Sequence, residues 1–119
     1  MRRGKYVARP LTDQPTQPFW SAEEAWLWFC QCQIARRDGV RFGAGRADVD
    51  RPCDPDDIYR AVLDLHRRGV IGQGHLAVLG RFGRRLTPPD PWAEPGSASL
   101  WAEALDRLET VLRAKEILE

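Results

Sequence analysis

Apolar residues recur at helical spacing in four stretches of the chain. The clearest stretch is residues 54–68, where the apolar positions lie three or four residues apart: Ile58, Ala61, Val62 and Leu65. Asp54 and Pro55 are typical of a helix start, and Gly69 is typical of the position just after a helix end. The pattern therefore predicts an amphipathic helix that ends at a turn around Gly69.

A shorter helix is predicted directly after this turn. Leu76, Leu79 and Phe82 form its apolar stripe, and Gly83 is the expected stop. Two helices joined by a glycine-containing turn form a common packing unit. We expect the other helices to pack around this pair.

The stretch before the pair is apolar on nearly every side. Ser21 and Glu24 form a capping box at its start, and Gly39 is the expected end. Three tryptophans lie in or beside this helix: Trp20, Trp26 and Trp28. They are too bulky to be buried together easily, and aromatic side chains are enriched at interface hot spots. These three residues are the candidate protein interface.

A last helix is predicted to begin near Ser97 or Ser99 and to run to the end of the chain. No strand pattern is found. The sequence thus predicts an all-α fold, a compact bundle of about four helices. Its expected core residues are Trp26, Phe29, Ile58, Val62, Leu65, Leu76, Leu79, Phe82, Trp101, Leu105 and Leu108.

The segments between the helices have distinct compositions. Residues 39–53 form a Gly/Arg-rich loop, and residues 86–96 form a Pro-rich connector that Trp92 is expected to pin to the core. Residues 1–18 contain three prolines among polar residues and predict a flexible arm. The expected organisation is therefore this arm followed by a single helical domain over residues 19–119.

Charge is unevenly distributed although the net charge is only +1. Residues 36–85 hold eleven arginines and seven aspartates, a net charge of +4, and residues 86–119 carry a net charge of −4. Such asymmetry is a modest indication of a polyanionic partner. The candidate phosphate- or anion-binding residues are Arg36, Arg37, Arg41, Arg46, Arg81, Arg84 and Arg85.

These arginines support an alternative in which the protein is a nucleic-acid-binding regulator. Residues 54–85 resemble a degenerate helix-turn-helix, with Gly69 in the turn and basic residues beside both helices. The first turn of the second helix offers only Gln73 and His75 for base contacts, because its other residues are small or apolar. The resemblance implies contacts to phosphates rather than to bases.

Patterns typical of catalysis or metal binding are not found. Cys30 and Cys32 are two residues apart on a helix, about 200° around its axis, so they cannot point at one ion. Cys53 precedes a helix start, which favours a thiolate, but the aspartates beside it oppose one. We therefore expect no enzyme activity, no metal and no cofactor.

The sequence favours a small, non-enzymatic protein–protein interaction module, with a partner protein or a second copy bound through the tryptophans. No apolar run approaches the roughly 20 residues that span a bilayer, so no membrane association is expected. Three cysteines do not suggest a disulfide framework, which is typical of a cytoplasmic protein.

Overall fold

The computed structural model describes residues 16–39 and 50–119. Four helices form within these residues, which confirms the predicted all-α fold: α1 (Ala22–Arg37), α2 (Pro55–Arg67), α3 (Gln73–Arg84) and α4 (Pro95–Ala114). Most of the predicted arm and of the Gly/Arg-rich loop lies outside the described residues. None of the described helices is both long and apolar enough to cross a membrane.

The start of α1 forms in part as predicted. The Ser21 hydroxyl accepts a hydrogen bond from the Glu24 backbone N–H at 3.1 Å, which satisfies one backbone donor that the helix leaves open. The Glu24 carboxylate accepts its hydrogen bond from the backbone N–H of Trp20, the residue before the cap, at 2.7 Å instead of from Ser21, so the predicted capping box is only half formed. Gly39, at φ 76°, follows the helix end, and glycine adopts this left-handed conformation without strain.

Helices α2 and α3 are joined by a short turn but make few direct contacts with each other. Gly69 provides the predicted left-handed residue (φ 77°), and the Val70 N–H closes α2 by donating to the Leu65 carbonyl at 2.9 Å. Both helices pack mainly on α1 and α4. The expectation that this pair organises the bundle is therefore wrong, because α1 and α4 supply the central contacts.

The end of α3 also differs from the prediction. The helix continues through Gly83 to Arg84, and the left-handed residue that follows it is Leu86, at φ 55°. Gly83 lies inside the helix, at a position where the side chain of a larger residue would collide with α1. A Cβ atom at this position would lie 2.5 Å from the Cys30 sulfur and 3.1 Å from Trp26 Nε1. Its function is close packing of α3 on α1.

Helix α4 begins earlier and ends earlier than predicted. Pro95 occupies its first turn and Ala114 is its last residue. The chain then turns back, and the backbone of Phe19 pairs with it: the Phe19 N–H donates to the Ile117 carbonyl and the Glu119 N–H donates to the Phe19 carbonyl, each at 3.0 Å. This single parallel bridge joins the segment before α1 to the segment after α4.

Replacing Glu116 with glycine is expected to raise the free energy of unfolding by about 0.5–1 kcal/mol. Glu116 is exposed and has φ 63°, a conformation that costs a residue with a Cβ atom more than it costs glycine. Chemical denaturation would measure the change. The control is Ala102→Gly at an exposed position inside α4, which should instead lower stability by up to about 1 kcal/mol. Equal losses in both variants would contradict this account.

The predicted core residues are buried, except for Leu76, which is half-buried against the core. Two buried indole rings are also hydrogen-bonded: Trp26 Nε1–H donates to the Leu79 carbonyl at 3.0 Å, and Trp101 Nε1–H donates to the Glu23 carboxylate at 2.8 Å. The core further includes five large residues that are not among the expected core residues: Phe19, Ile71, Leu112, Ile117 and Leu118.

The residue that anchors the Pro-rich connector to the rest of the protein differs from the predicted one. Trp92 does not pin it to the core, because this side chain is 94% exposed. Pro89 is the buried residue of the connector. The connector thus presents a tryptophan outward instead of packing it inward.

Candidate functional site

A groove of about 650 Å³ lies between α1, α2 and α3. Both α2 and α3 pack on α1, but they make few contacts with each other, and the groove lies between them. Its apolar lining comes from all three helices: Trp26 and Phe29 from α1, Tyr59 and Leu63 from α2, and Leu76 and Leu79 from α3. We refer to this feature as the α1–α3 groove.

The floor of the groove is fixed by aromatic packing. The rings of Trp26 and Phe29 lie 5.1 Å apart, and Phe29 stacks on Tyr59 at 5.3 Å with nearly parallel planes. The close approach at Gly83 and the hydrogen bond from Trp26 to Leu79 hold α3 against α1. The groove is therefore a preformed apolar surface.

Two arginines give the rim of the groove a positive charge. Arg37 projects from the end of α1 and Arg84 from the end of α3, and no described residue that lines the groove is acidic. Arg37 lies 3.7 Å from the exposed carboxylate of its neighbour Asp38. Within the described residues Arg84 has no carboxylate within ion-pair distance. A ligand with both apolar groups and a carboxylate matches this lining.

The other candidate arginines have different surroundings. Arg36 pairs with Asp56 at 3.5 Å, and Arg81 pairs with Glu94 at 3.6 Å. Arg85 lies with Arg81 beside the ring of Phe82, at 5.3 and 5.2 Å from its centroid. Arg41 and Arg46 lie outside the described residues. Of the five candidates among the described residues, Arg37 and Arg84 are the two that line a common groove.

The three candidate tryptophans occupy three different environments. Trp20 is 71% exposed at the start of α1, Trp28 is half-buried with its ring 5.1 Å from Phe19, and Trp26 is in the core. Trp26 therefore contributes to the groove floor instead of projecting from the surface. Trp92, which sequence reasoning assigned to the core, is the most exposed tryptophan of the described residues.

His75 has a structural role that uses both ring nitrogens. Nδ1 accepts a hydrogen bond from the Gly72 backbone N–H at 3.0 Å, and Nε2 lies 2.9 Å from a Glu103 carboxylate oxygen. With Nδ1 accepting, the neutral ring carries its proton on Nε2 and donates it to Glu103. The side chain caps α3 and links it to α4, so both ring nitrogens already have hydrogen-bond partners and neither is free to contact a base.

The thiols of Cys53 and Cys30 are poor nucleophiles. Burial, and after it the negative charges of Asp57 and Asp54, raise the pKa of the Cys53 thiol to about 11. Burial likewise raises the pKa of the Cys30 thiol to about 11, although the charge of Arg84 acts in the opposite direction. Both thiols are therefore protonated at neutral pH, and thiols react as thiolates.

A second depression of about 570 Å³ lies between α2 and the end of α4. Its arginines are neutralised locally, since Arg60 pairs with Asp57 at 2.8 Å and Arg67 pairs with Asp64 at 2.7 Å. Across residues 16–39 and 50–119, no group of three His, Cys, Asp or Glu residues could hold a metal ion. The α1–α3 groove is accordingly the stronger candidate for a binding site.

Comparison of the chain with protein-family models, curated proteins and solved structures finds no match.

Proposed function

We propose that this protein is a non-enzymatic interaction module that binds a short apolar segment of a partner protein, carrying at least one carboxylate, in the α1–α3 groove. The observation that carries the proposal is the groove itself, which combines a preformed aromatic floor with two rim arginines and no acidic lining residue.

The exposure of the groove walls supports a protein ligand. Tyr59 is 44% exposed and Leu63 is 38% exposed, so large apolar groups face solvent along the α2 wall of an already apolar floor. Exposed apolar surface of this kind, rimmed by polar residues, is typical of interaction sites. Binding sites between proteins also favour aromatic residues and arginine and contain few acidic groups at their centre.

The length of the groove supports an extended or helical peptide. Its α1 lining runs from Trp26 to Arg37, roughly 16 Å along the helix axis. This distance equals about three helical turns, the length over which an amphipathic helix presents apolar anchors to a groove. With Arg37 at one end of this lining, a carboxylate at the matching end of the ligand would set its direction.

The chemistry of the lining supports binding over catalysis. The described groove residues include no histidine and no carboxylate, and the Cys30 thiol is held protonated by its raised pKa. A general acid or base with a pKa near neutrality is therefore missing from this surface. The groove can hold and orient a ligand through contacts and charge.

Selection from a displayed library of 12-residue peptides would test the proposal. We expect enriched peptides that combine large apolar residues with Asp or Glu, and we expect Leu63→Glu to weaken their binding at least about tenfold because it places a charge in the groove wall. Val70→Glu is the matched control, because Val70 is 41% exposed and does not line the groove. It should bind the peptides as well as the unsubstituted protein.

Failure to enrich peptides, or equal binding by the Leu63→Glu variant, would contradict the proposal. The nucleic-acid alternative has its own signature, because phosphate contacts weaken steeply as salt increases. Salt-sensitive binding of duplex DNA that disappears when Arg84 and Arg85 are reversed to glutamate would favour that alternative.

A further inference from the structure

The α3–α4 connector presents one tryptophan on a fixed turn. Trp92 is 94% exposed, yet its backbone is ordered by two hydrogen bonds: its N–H donates to the Asp90 carboxylate at 2.9 Å, and the Glu94 N–H donates to the Asp90 carbonyl at 2.8 Å. Pro89 is buried beneath the turn and Pro95 starts α4 after it. We refer to residues 88–94 as the Trp92 tip.

An exposed aromatic side chain on a rigid turn is suited to binding. Because the backbone is already ordered, inserting the ring into a partner costs little additional conformational entropy. A tryptophan buries about 150–250 Å² when it is covered. In solution this area stays in contact with water, so covering it would contribute a substantial favourable free energy.

The composition of the Trp92 tip is complementary to that of the α1–α3 groove. The tip carries Asp90 and Glu94 and no basic residue, whereas the groove carries Arg37 and Arg84 and no described acidic residue. Glu94 already pairs with Arg81, which leaves Asp90 as the exposed acid next to the ring. An indole ring also binds arginine guanidinium groups through its face.

The tip and the groove are neighbours at the same end of α3. Arg84, in the last turn of this helix, lines the groove, and Glu94 at the base of the tip is 3.6 Å from Arg81 one turn earlier. The ring does not enter the groove of its own chain, because it is exposed. A protrusion beside its own complementary groove can be exchanged reciprocally between two copies about a two-fold axis.

We propose that two copies of this chain associate about a two-fold axis, with Trp92 of each copy in the α1–α3 groove of the other. The proposal rests on the proposed function, because it names an occupant of the same groove. The interface is small and centred on two rings, so it is a weak, reversible dimer. A groove ligand and a second copy then compete for one surface.

Sedimentation velocity of the full chain over a range of concentrations would test this directly. We expect concentration-dependent dimerisation, and we expect Trp92→Ala to weaken it at least about 30-fold, the loss that corresponds to removing a hot-spot aromatic residue. The fold should be unaffected because the ring contacts solvent. Trp20→Ala is the comparison variant, since Trp20 is the other highly exposed tryptophan and does not line the groove.

Mixing two defective variants provides the sharper experiment. Trp92→Ala retains an intact groove, and Leu63→Glu retains an intact tip. Each variant alone should sediment as a monomer, while their mixture should form a 1:1 heterodimer through the single remaining contact. Dimerisation can be recovered on mixing only if the tip of one chain binds the groove of the other. The experiment therefore identifies the tip–groove contact as well as the 1:1 stoichiometry.

The outcomes separate this proposal from the proposed function. If the chain stays monomeric at all concentrations, or if the Trp92→Ala variant dimerises as strongly as the unsubstituted chain does, the proposed dimer is wrong. A dimer that depends on Trp20 instead would also overturn it. If peptides selected from the library still bind the groove in those cases, the interaction function stands without the dimer. If those peptides also fail to bind, both proposals fall.

Discussion

Replacing both Ile117 and Leu118 with alanine is expected to lower the free energy of unfolding by about 4–10 kcal/mol, since each such truncation in a core costs about 2–5 kcal/mol. Both side chains are buried although they lie beyond the last helix. The loss is comparable to the whole stability of a small domain, about 5–15 kcal/mol. The variant should therefore be partly unfolded at room temperature.

Urea denaturation followed by far-ultraviolet circular dichroism would measure this loss. Lys115→Ala with Glu119→Ala is the matched control, because both residues lie in the same tail with exposed side chains. Its stability should stay within about 1 kcal/mol of the unsubstituted chain. A double Ile117 and Leu118 variant that unfolds at the same urea concentration as this control would show that the tail does not belong to the core.

The second large effect is expected at Gly83. An alanine there should improve helix propensity by about 1 kcal/mol, but its Cβ would lie 2.5 Å from the Cys30 sulfur. Overpacking of this kind typically costs about 1–3 kcal/mol, so after the gain in helix propensity we expect a net loss of up to about 2 kcal/mol for Gly83→Ala. Thermal or chemical unfolding would measure it.

Two further variants identify the cause of this loss. Gly80→Ala lies in the same helix, where the nearest neighbour of an added Cβ is the flexible Arg84 side chain at 3.5 Å, and it should gain stability. Adding Cys30→Ala to Gly83→Ala removes the clashing sulfur, so the two substitutions should be less destabilising together than their separate effects add up to. Strict additivity would mean that the α1–α3 contact does not limit the size of residue 83.

Local sequence signals predict the starts of α1 and α2 and the turn at Gly69, but not the start of α4. The Ser21 cap and the left-handed glycine at position 69 involve residues within a few positions of each other, so the pattern alone identifies them. Gly83 was misread as a stop for the same reason. Its small size is required by Cys30, 53 residues earlier in the chain, and no local pattern contains that contact.

The positions of the candidate site residues depend on tertiary packing even more than the helix ends do. Arg37 and Arg84 were both identified as basic residues, but their common groove follows from how α1 and α3 pack. The Trp92 tip was missed because burial was inferred from side-chain chemistry, whereas the buried residue of the connector is Pro89. The acids that flank Trp92 were visible in the sequence and are the signal that could have indicated a surface position.

Amide chemical-shift mapping during titration with a selected peptide would show whether the α1–α3 groove is the binding surface. If it is, the amide shifts will saturate and will centre on groove residues from all three helices, including Gln33, Leu63 and Gly80. Shifts that centre on the depression around Arg60 and Lys115, or that never saturate, would rule out the groove as the binding surface.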